Sequence, residues 1–157
     1  MPANWNVARV LWGSARRTSE RPAAVASLHH ELALLRAALN EVRFGVVVLD
    51  HELRAQFINR AFRKMWRLPD AKADSKPAFV ALMYHGRDTR AYDVPEDQLD
   101  AYVAERVAYV KAGHPAPVDV HLASGEVIRF QCAVLPAGGR MLSYTYVTDN
   151  VSAATTS

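Results

Sequence analysis

FGVVVLDHELRAQFINRAFRKMW, running from Phe44 to Trp66, is the stretch whose reading decides the fold. Gly45 opens an apolar run, Val46 to Leu49, and Asp50 closes it. His51-Glu52 precedes a second strand-like run, Arg54 to Ile58. Two β-branched runs around a short polar break predict a β-hairpin. Asn59-Arg60-Ala61-Phe62 then turns the chain into a helical pattern. Asn59 suits the N-cap, because its side-chain oxygen accepts from a backbone N–H of the first turn. Phe62, Met65 and Trp66 follow at helical spacing.

Upstream, Pro22 suits the first turn of a helix. Val25, Leu28, Leu32, Leu35, Leu39 and Val42 then recur at spacings of three and four, an a/d seam of nearly three heptads. Glu31, Arg36, Glu41 and Arg43 flank it. Two readings stay open for this helix, 22–43: packing on its own domain, or pairing with a second copy of the chain as a dimerisation helix. Residues 1–21 read as a flexible basic tail. The alternative is a small amphipathic helix placing Trp5, Val10, Leu11 and Trp12 against a membrane surface.

Downstream, Leu68-Pro69-Asp70 stops the first short helix. Ala71 to Lys76 reads as loop, Phe79 to Tyr84 as a short helix, and His85 to Asp88 as the lead into another loop. Asp93 and Glu96 stand as a capping pair before a longer helix. That helix carries the stripe Leu99, Tyr102, Val103, Arg106, Val107 and Val110 and ends at Gly113. The last third alternates as strand: Val118, Val120 and Leu122; then Ile128, Phe130, Cys132 and Val134; then Arg140 to Thr148. Ser124-Gly125 and Gly138-Gly139 supply the turns. A small polar tail, 151–157, reads as disordered.

The chain of 157 residues is long enough to bury one substantial core. Its net charge of +3 is mild, and Arg9, Arg16, Arg17 and Arg21 carry much of it. No basic, aromatic-laced face points to nucleic acid. No apolar run reaches the ~18 residues of a membrane span. The lone cysteine, Cys132, allows no internal disulfide and fits a reducing cytoplasm. His30-Glu31-Leu32 and His51-Glu52-Leu53-Arg54 only superficially resemble a histidine-kinase phosphoacceptor box. The hydrophobic pattern and ATP-binding glycines of such an enzyme are missing.

The ordered set resembles the PAS domain: Gly45 with Val46 to Asp50, Asn59-x-Ala61-Phe62, Trp66-Arg67-Leu68-Pro69, and the Tyr146-Val147-Thr148-Asp149 ending. Met83 to Asp93, followed by a long helix and three strands, is similar to the PAS subgroup of bacterial sensor kinases and cyclic-di-GMP enzymes. The resemblance spans Ala37 to Asn150 and implies an α+β fold. Its five-stranded antiparallel sheet would carry short helices on one face, over 44–150, behind the N-terminal amphipathic helix.

That resemblance implies a sensory module whose inner sheet face encloses a small ligand or only side chains. Phe62, Trp66, Phe79, Tyr84, Phe130, Cys132, Tyr144 and Tyr146 are the pocket candidates. Val25, Leu28, Leu32, Leu35 and Leu39 are the candidates for a homodimer seam. The expected mechanism is altered packing of paired helices, coupled to a histidine kinase or diguanylate cyclase partner. The flavin-adduct motif is absent, and the long helix has no histidine to serve as an axial heme ligand. Neither cofactor is therefore expected. His85, Asp88 and Asp93 are the one acid–base grouping worth weighing, and turns and helix capping explain them equally well. A ligand-free interaction domain is the second reading. A small conical-pocket enzyme is the third, disfavoured because a hairpin precedes the helices.

Overall fold

The computed structural model describes the backbone of residues 5–147 and the side chains of residues 20–147. The apolar run of the opening stretch becomes strand β1 (Gly45–Leu49), paired antiparallel with β2 (Ala55–Ile58). Between them Asp50 folds its side chain back over the turn: Oδ1 accepts from the N–H groups of Glu52 (2.9 Å) and Arg54 (3.0 Å). These bonds, the Arg54 one foremost, hold the Asp50 carboxyl below its ordinary range.

Asn59 is fully buried and uses all of its hydrogen-bonding capacity. Its Oδ1 accepts from Phe62 N (3.1 Å), as an N-cap should, and from Val46 N (2.8 Å). Its Nδ2 donates to the carbonyls of Leu39 (2.9 Å) and Phe44 (3.0 Å). One side chain thus ties β1, the helix α2 (Arg60–Met65) and the approach to the sheet together. Gly45 fits closely beside it: a Cβ there would lie 3.2 Å from Tyr144 Cβ and 3.3 Å from Phe62 Cα, so those neighbours would have to give way slightly.

Three further strands complete the sheet: β3 (Val118–His121), β4 (Val127–Val134) and β5 (Arg140–Tyr146). The spatial order is β2-β1-β5-β4-β3, with every neighbouring pair antiparallel. Pairing aligns Gly45, Tyr144, Phe130 and Val118 in one row across the inner face. The next row holds Ile58, Val47, Leu142 and Cys132, all buried. The five-stranded α+β architecture is the expected one.

Between β2 and β3 the helices α2, α3 (Asp70–Asp74), α4 (Phe79–Asp88) and α5 (Leu99–Ala112) follow in order. Several boundaries depart from the sequence reading. Residues 71–76 hold most of α3 rather than loop, because Arg63 grips both ends of that turn: Nη1 to Asp70 (3.1 Å) and Nη2 to Asp74 (2.9 Å). Helix α4 runs through His85 to Asp88, with Gly86 buried inside it. A Cβ at Gly86 would lie 2.5 Å from the Tyr92 hydroxyl, so this glycine makes room for a ring and does not break the helix.

Asp93 is not the cap of the long helix. Its N–H donates to His121 O beside the Tyr92–Leu122 bridge, and a 3-10 turn (Glu96–Gln98) leads into α5. Gly113 does end α5, in the left-handed region at φ 68°. Val134 is 56% exposed although it shares the parity of Phe130 and Cys132, because it is the last residue of β4.

Helix α1 runs from Trp5 to Glu41, so residues 5–21, expected as flexible tail, belong to it and Pro22 lies inside. A proline there forgoes one backbone bond, and the flanking alanines, arginines and leucines favour helix. The chain divides into two units after Ala38. In the first, Val25, Leu28, Leu32 and Leu35 are each at least half exposed. Leu39, half-buried, groups with the second unit, where Asn59 holds its carbonyl and Arg60 N–H donates to Asn40 Oδ1 (2.9 Å). The second compact unit begins at Leu39. The side chains of Trp5, Val10, Leu11 and Trp12, the Thr148–Asp149 end of the terminal motif and the tail 151–157 lie outside the described residues.

Candidate functional site

The inner sheet face and helices α2, α4 and α5 close over a chamber lined chiefly by aromatic rings. The sheet contributes Phe130 and Tyr144, neighbours in one cross-strand row with centroids 5.2 Å apart. From α2 and its C-cap come Phe62 and Trp66; Phe62 meets Tyr144 edge-on at 5.0 Å. Phe79, Leu82 and Met83 enter from α4. Tyr92 links the two sides, 5.5 Å from Trp66 and 5.0 Å from Tyr102 of α5. Edge-on and tilted contacts of this kind suit the ring quadrupoles and hold the rings in place. The space left among them is about 20 Å³, the room of roughly one water molecule.

Two polar features stand out in these apolar walls. Among the described residues Arg106 is the only charged one lining the chamber. Its guanidinium lies over Phe130 (5.3 Å), Tyr102 (5.5 Å) and Tyr109 (5.8 Å), and Nη2 donates to Tyr102 OH at 3.4 Å. Among the described residues no carboxylate pairs with it. The second feature is Trp66, which is 8% exposed and whose indole N–H, itself buried, finds no acceptor among the described residues. Buried donors are normally satisfied, so this one stands apart.

Two of the lining phenols are held in their neutral form by burial. Burial pushes Tyr92 and Tyr144 up from the usual range, and Arg106 offsets only part of that. Tyr92 OH donates to Met83 Sδ at 3.5 Å.

Of the eight pocket candidates, the structure brings five together: Phe62, Trp66, Phe79, Phe130 and Tyr144. Cys132 is buried one row away and does not line the chamber; desolvation raises its thiol pKa. Tyr84 is 38% exposed on the outer side of α4, with Arg87 4.4 Å over its ring. Tyr146 is half-buried against the core near the end of β5. The sequence reading missed Leu82, Met83, Tyr92, Tyr102, Arg106 and Val120 as lining residues. The signal for one was available: Arg106 sits in the apolar stripe of α5, four residues from Tyr102, where a solvated arginine does not belong.

The histidines flanking α5 serve local structure. His85 Nε2 lies 3.1 Å from the Trp66 carbonyl, and His114 stacks on Tyr109 at 5.0 Å. Among the described residues no acidic, histidine and cysteine side chains group as metal ligands, and no helix is long and apolar enough to cross a membrane. Asp88 is paired with Arg87 (3.0 Å), and no hydrogen bond or ion pair joins His85, Asp88 and Asp93.

The family model described as PAS fold matches residues 39–155, beginning where the second compact unit does. No curated protein matches significantly. Among solved structures, the complex of Escherichia coli DhaR(N) with DhaL is similar at 18% identity and TM-score 0.58, over 92% of this chain and 46% of that one. A domain of a sensory box sensor histidine kinase/response regulator from Geobacter sulfurreducens aligns at 16% identity and TM-score 0.48, over 75% of this chain and 96% of that one. The Cronobacter turicensis RpfR quorum-sensing receptor PAS domain, in complex with C12:0, aligns at 14% and TM-score 0.44, over 68% and 96%. With the sheet order, the Asn59 junction and the ring-lined inner face in place, the match over residues 39–155 makes this chain a member of the PAS fold family.

Proposed function

We propose that this chain is a sensory signalling module in which occupancy of the aromatic chamber sets the packing of α1 against a second copy. The observation that carries the reading is a continuous hydrogen-bonded path. Phe62 lines the chamber, its N–H is held by Asn59, and Asn59 holds the carbonyl of Leu39 in the last turn of α1. A ligand that binds two chamber arrangements unequally would shift that turn. The seam Val25, Leu28, Leu32 and Leu35 is the proposed contact between copies, because an exposed apolar row of this kind is rarely left open by a soluble monomer. The output partner is a kinase or cyclase of the cytoplasmic signalling type. The module itself is not catalytic and requires no flavin or heme.

Light-scattering mass tests the relay. The wild type should be a dimer at micromolar concentration, and Leu28→Glu with Leu32→Glu should yield a folded monomer by circular dichroism. A monomeric wild type sinks the dimer relay; a dimeric double variant moves the interface elsewhere. A stoichiometric heme or flavin absorption band in the purified protein would overturn the cofactor statement.

One observation favours a second reading. The chamber's free space is only about 20 Å³, so a ligand-free interaction domain with a self-filled core accounts for the same walls.

A further inference from the structure

One chamber is lined both by Arg106, whose guanidinium lies over three ring faces, and by Trp66, whose buried indole N–H has no acceptor among the described residues. The rings stabilise the Arg106 guanidinium through their quadrupoles. They leave its planar fork of donors almost unused, with one long bond to Tyr102 OH. A half-buried guanidinium with no carboxylate opposite is complementary to an anion, and most of all to one presenting two oxygens in a plane. Trp66 adds an independent demand. Its N–H is a donor only, so whatever satisfies it must bring an acceptor. The chamber's 20 Å³ space has the room of about one water molecule or one ligand oxygen. Apart from the tyrosine hydroxyls the remaining walls are apolar, which disfavours a highly hydrated species such as a free inorganic ion.

Resting on the chamber as the sensory site, we propose that its ligand is a small organic monocarboxylate with an apolar body. Arg106 pairs with the carboxylate, and Trp66 Nε1 donates to a ligand oxygen. Room for the body comes from the two movable side chains of the wall. Arg106 is only partly buried, so its long side chain can shift while it stays paired with the carboxylate, and the unbranched thioether of Met83 repacks readily. Among the described residues no acidic side chain lines the chamber, which gives the discrimination: a cationic or zwitterionic molecule of the same shape meets Arg106 with no lining carboxylate to offset the repulsion.

The test uses the full chain with Trp5→Phe and Trp12→Phe, which leaves Trp66 as the only tryptophan. Its indole N–H resonance is followed while sodium butanoate, hexanoate, octanoate or benzoate is added, with hexanamide and hexan-1-ol as neutral counterparts. A carboxylate should shift that resonance saturably, with the neutral counterparts about 10-fold weaker or worse. Arg106→Gln should weaken the carboxylate by about 10-fold or more and leave hexanamide unchanged, and Arg106→Lys should recover part of the loss. Thermal melting shows that each variant folds. Equal binding of hexanamide and hexanoate, or indifference to Arg106→Gln, overturns the carboxylate assignment and leaves the chamber as a ligand site. Silence of the Trp66 resonance to every probe overturns both.

Discussion

Asn59 and Arg106 are polar side chains set against one apolar core, and the fold treats them in opposite ways. Asn59 is fully buried and spends both donors and both acceptor directions on four backbone groups. Arg106 is partly buried, rests on ring faces, and has one long hydrogen bond for its donors, with the unsatisfied Trp66 N–H in the same chamber. A buried polar group with every bond made specifies a structure; one left with bonds to make is where something else can be received. The hairpin–helix junction is the first kind of place and the chamber is the second.

The contrast is broken most severely at the junction. Asn59→Ala strips partners from four backbone groups at once, at ~1 kcal/mol or more for each. We expect a loss of about 5 kcal/mol in urea unfolding, or no folded protein at all. A loss below about 2 kcal/mol would mean that water or a neighbour replaces the asparagine.

Phe130→Ala removes a ring that is 1% exposed from the centre of the chamber floor. The expected cost is ~3–5 kcal/mol, through lost burial and the cavity left behind. Melting close to wild type would show that the chamber is loosely packed.

Alkaline pH probes the chamber through its buried phenols. Tyr92 and Tyr144 have folded-state values raised by burial, so the unfolded chain ionises first and draws the equilibrium toward itself. Their contribution is complete below the unfolded value of about 10 and is lost as pH climbs beyond it. Cys132 is shifted the same way, so the melting temperature should begin to fall nearer to about pH 8.5. A flat melting temperature from pH 8 to about 11 would show those hydroxyls to be solvated.

The smallest effect is expected at Trp66. Trp66→Phe deletes the orphaned donor along with some packing area, and the two changes oppose each other. A net change within about 1.5 kcal/mol is the expected result. A loss comparable to that of Phe130→Ala would show that the indole N–H has a partner after all.

How much of this could be read beforehand follows the same division. The hairpin, the Asn59 cap and the three-strand meander were legible because their signals are local: β-branched runs, a capping residue before an aromatic helix, period-two alternation. Helix α3 was not, since Ala71-Lys72-Ala73-Asp74 has no periodicity worth the name and owes its turn to Arg63 reaching from α2. Asp93 looked like a cap and is instead pinned to His121, a contact across the fold that no spacing announces. His85 to Asp88 read as the lead into a loop, yet they are helix, and only the position of Tyr92 explains the glycine among them. Five of the eight proposed pocket residues do meet, because large aromatics on alternating or helical faces seek the same core. Tyr84 did not, since one position along α4 decides which side of the helix a ring takes. Arg106 was visible as an arginine in an apolar stripe, but its unpaired state depends on what surrounds it in space.

The sheet order carries a consequence for how the domain comes into being. Strand β5, the last of the five in sequence, occupies the middle, between the β1–β2 hairpin and the β3–β4 hairpin. During synthesis both hairpins are made first, each with an open edge and half a core. Only when Arg140 to Tyr146 emerges can Gly45 find Tyr144 and the two halves join. Such distant pairing is slow to close, and until then two unpaired strand edges face the surroundings. A chain cut before Arg140 is accordingly not a slightly smaller domain but two hairpins with nothing between them. The hazard of aggregation is concentrated in the interval before the central strand arrives.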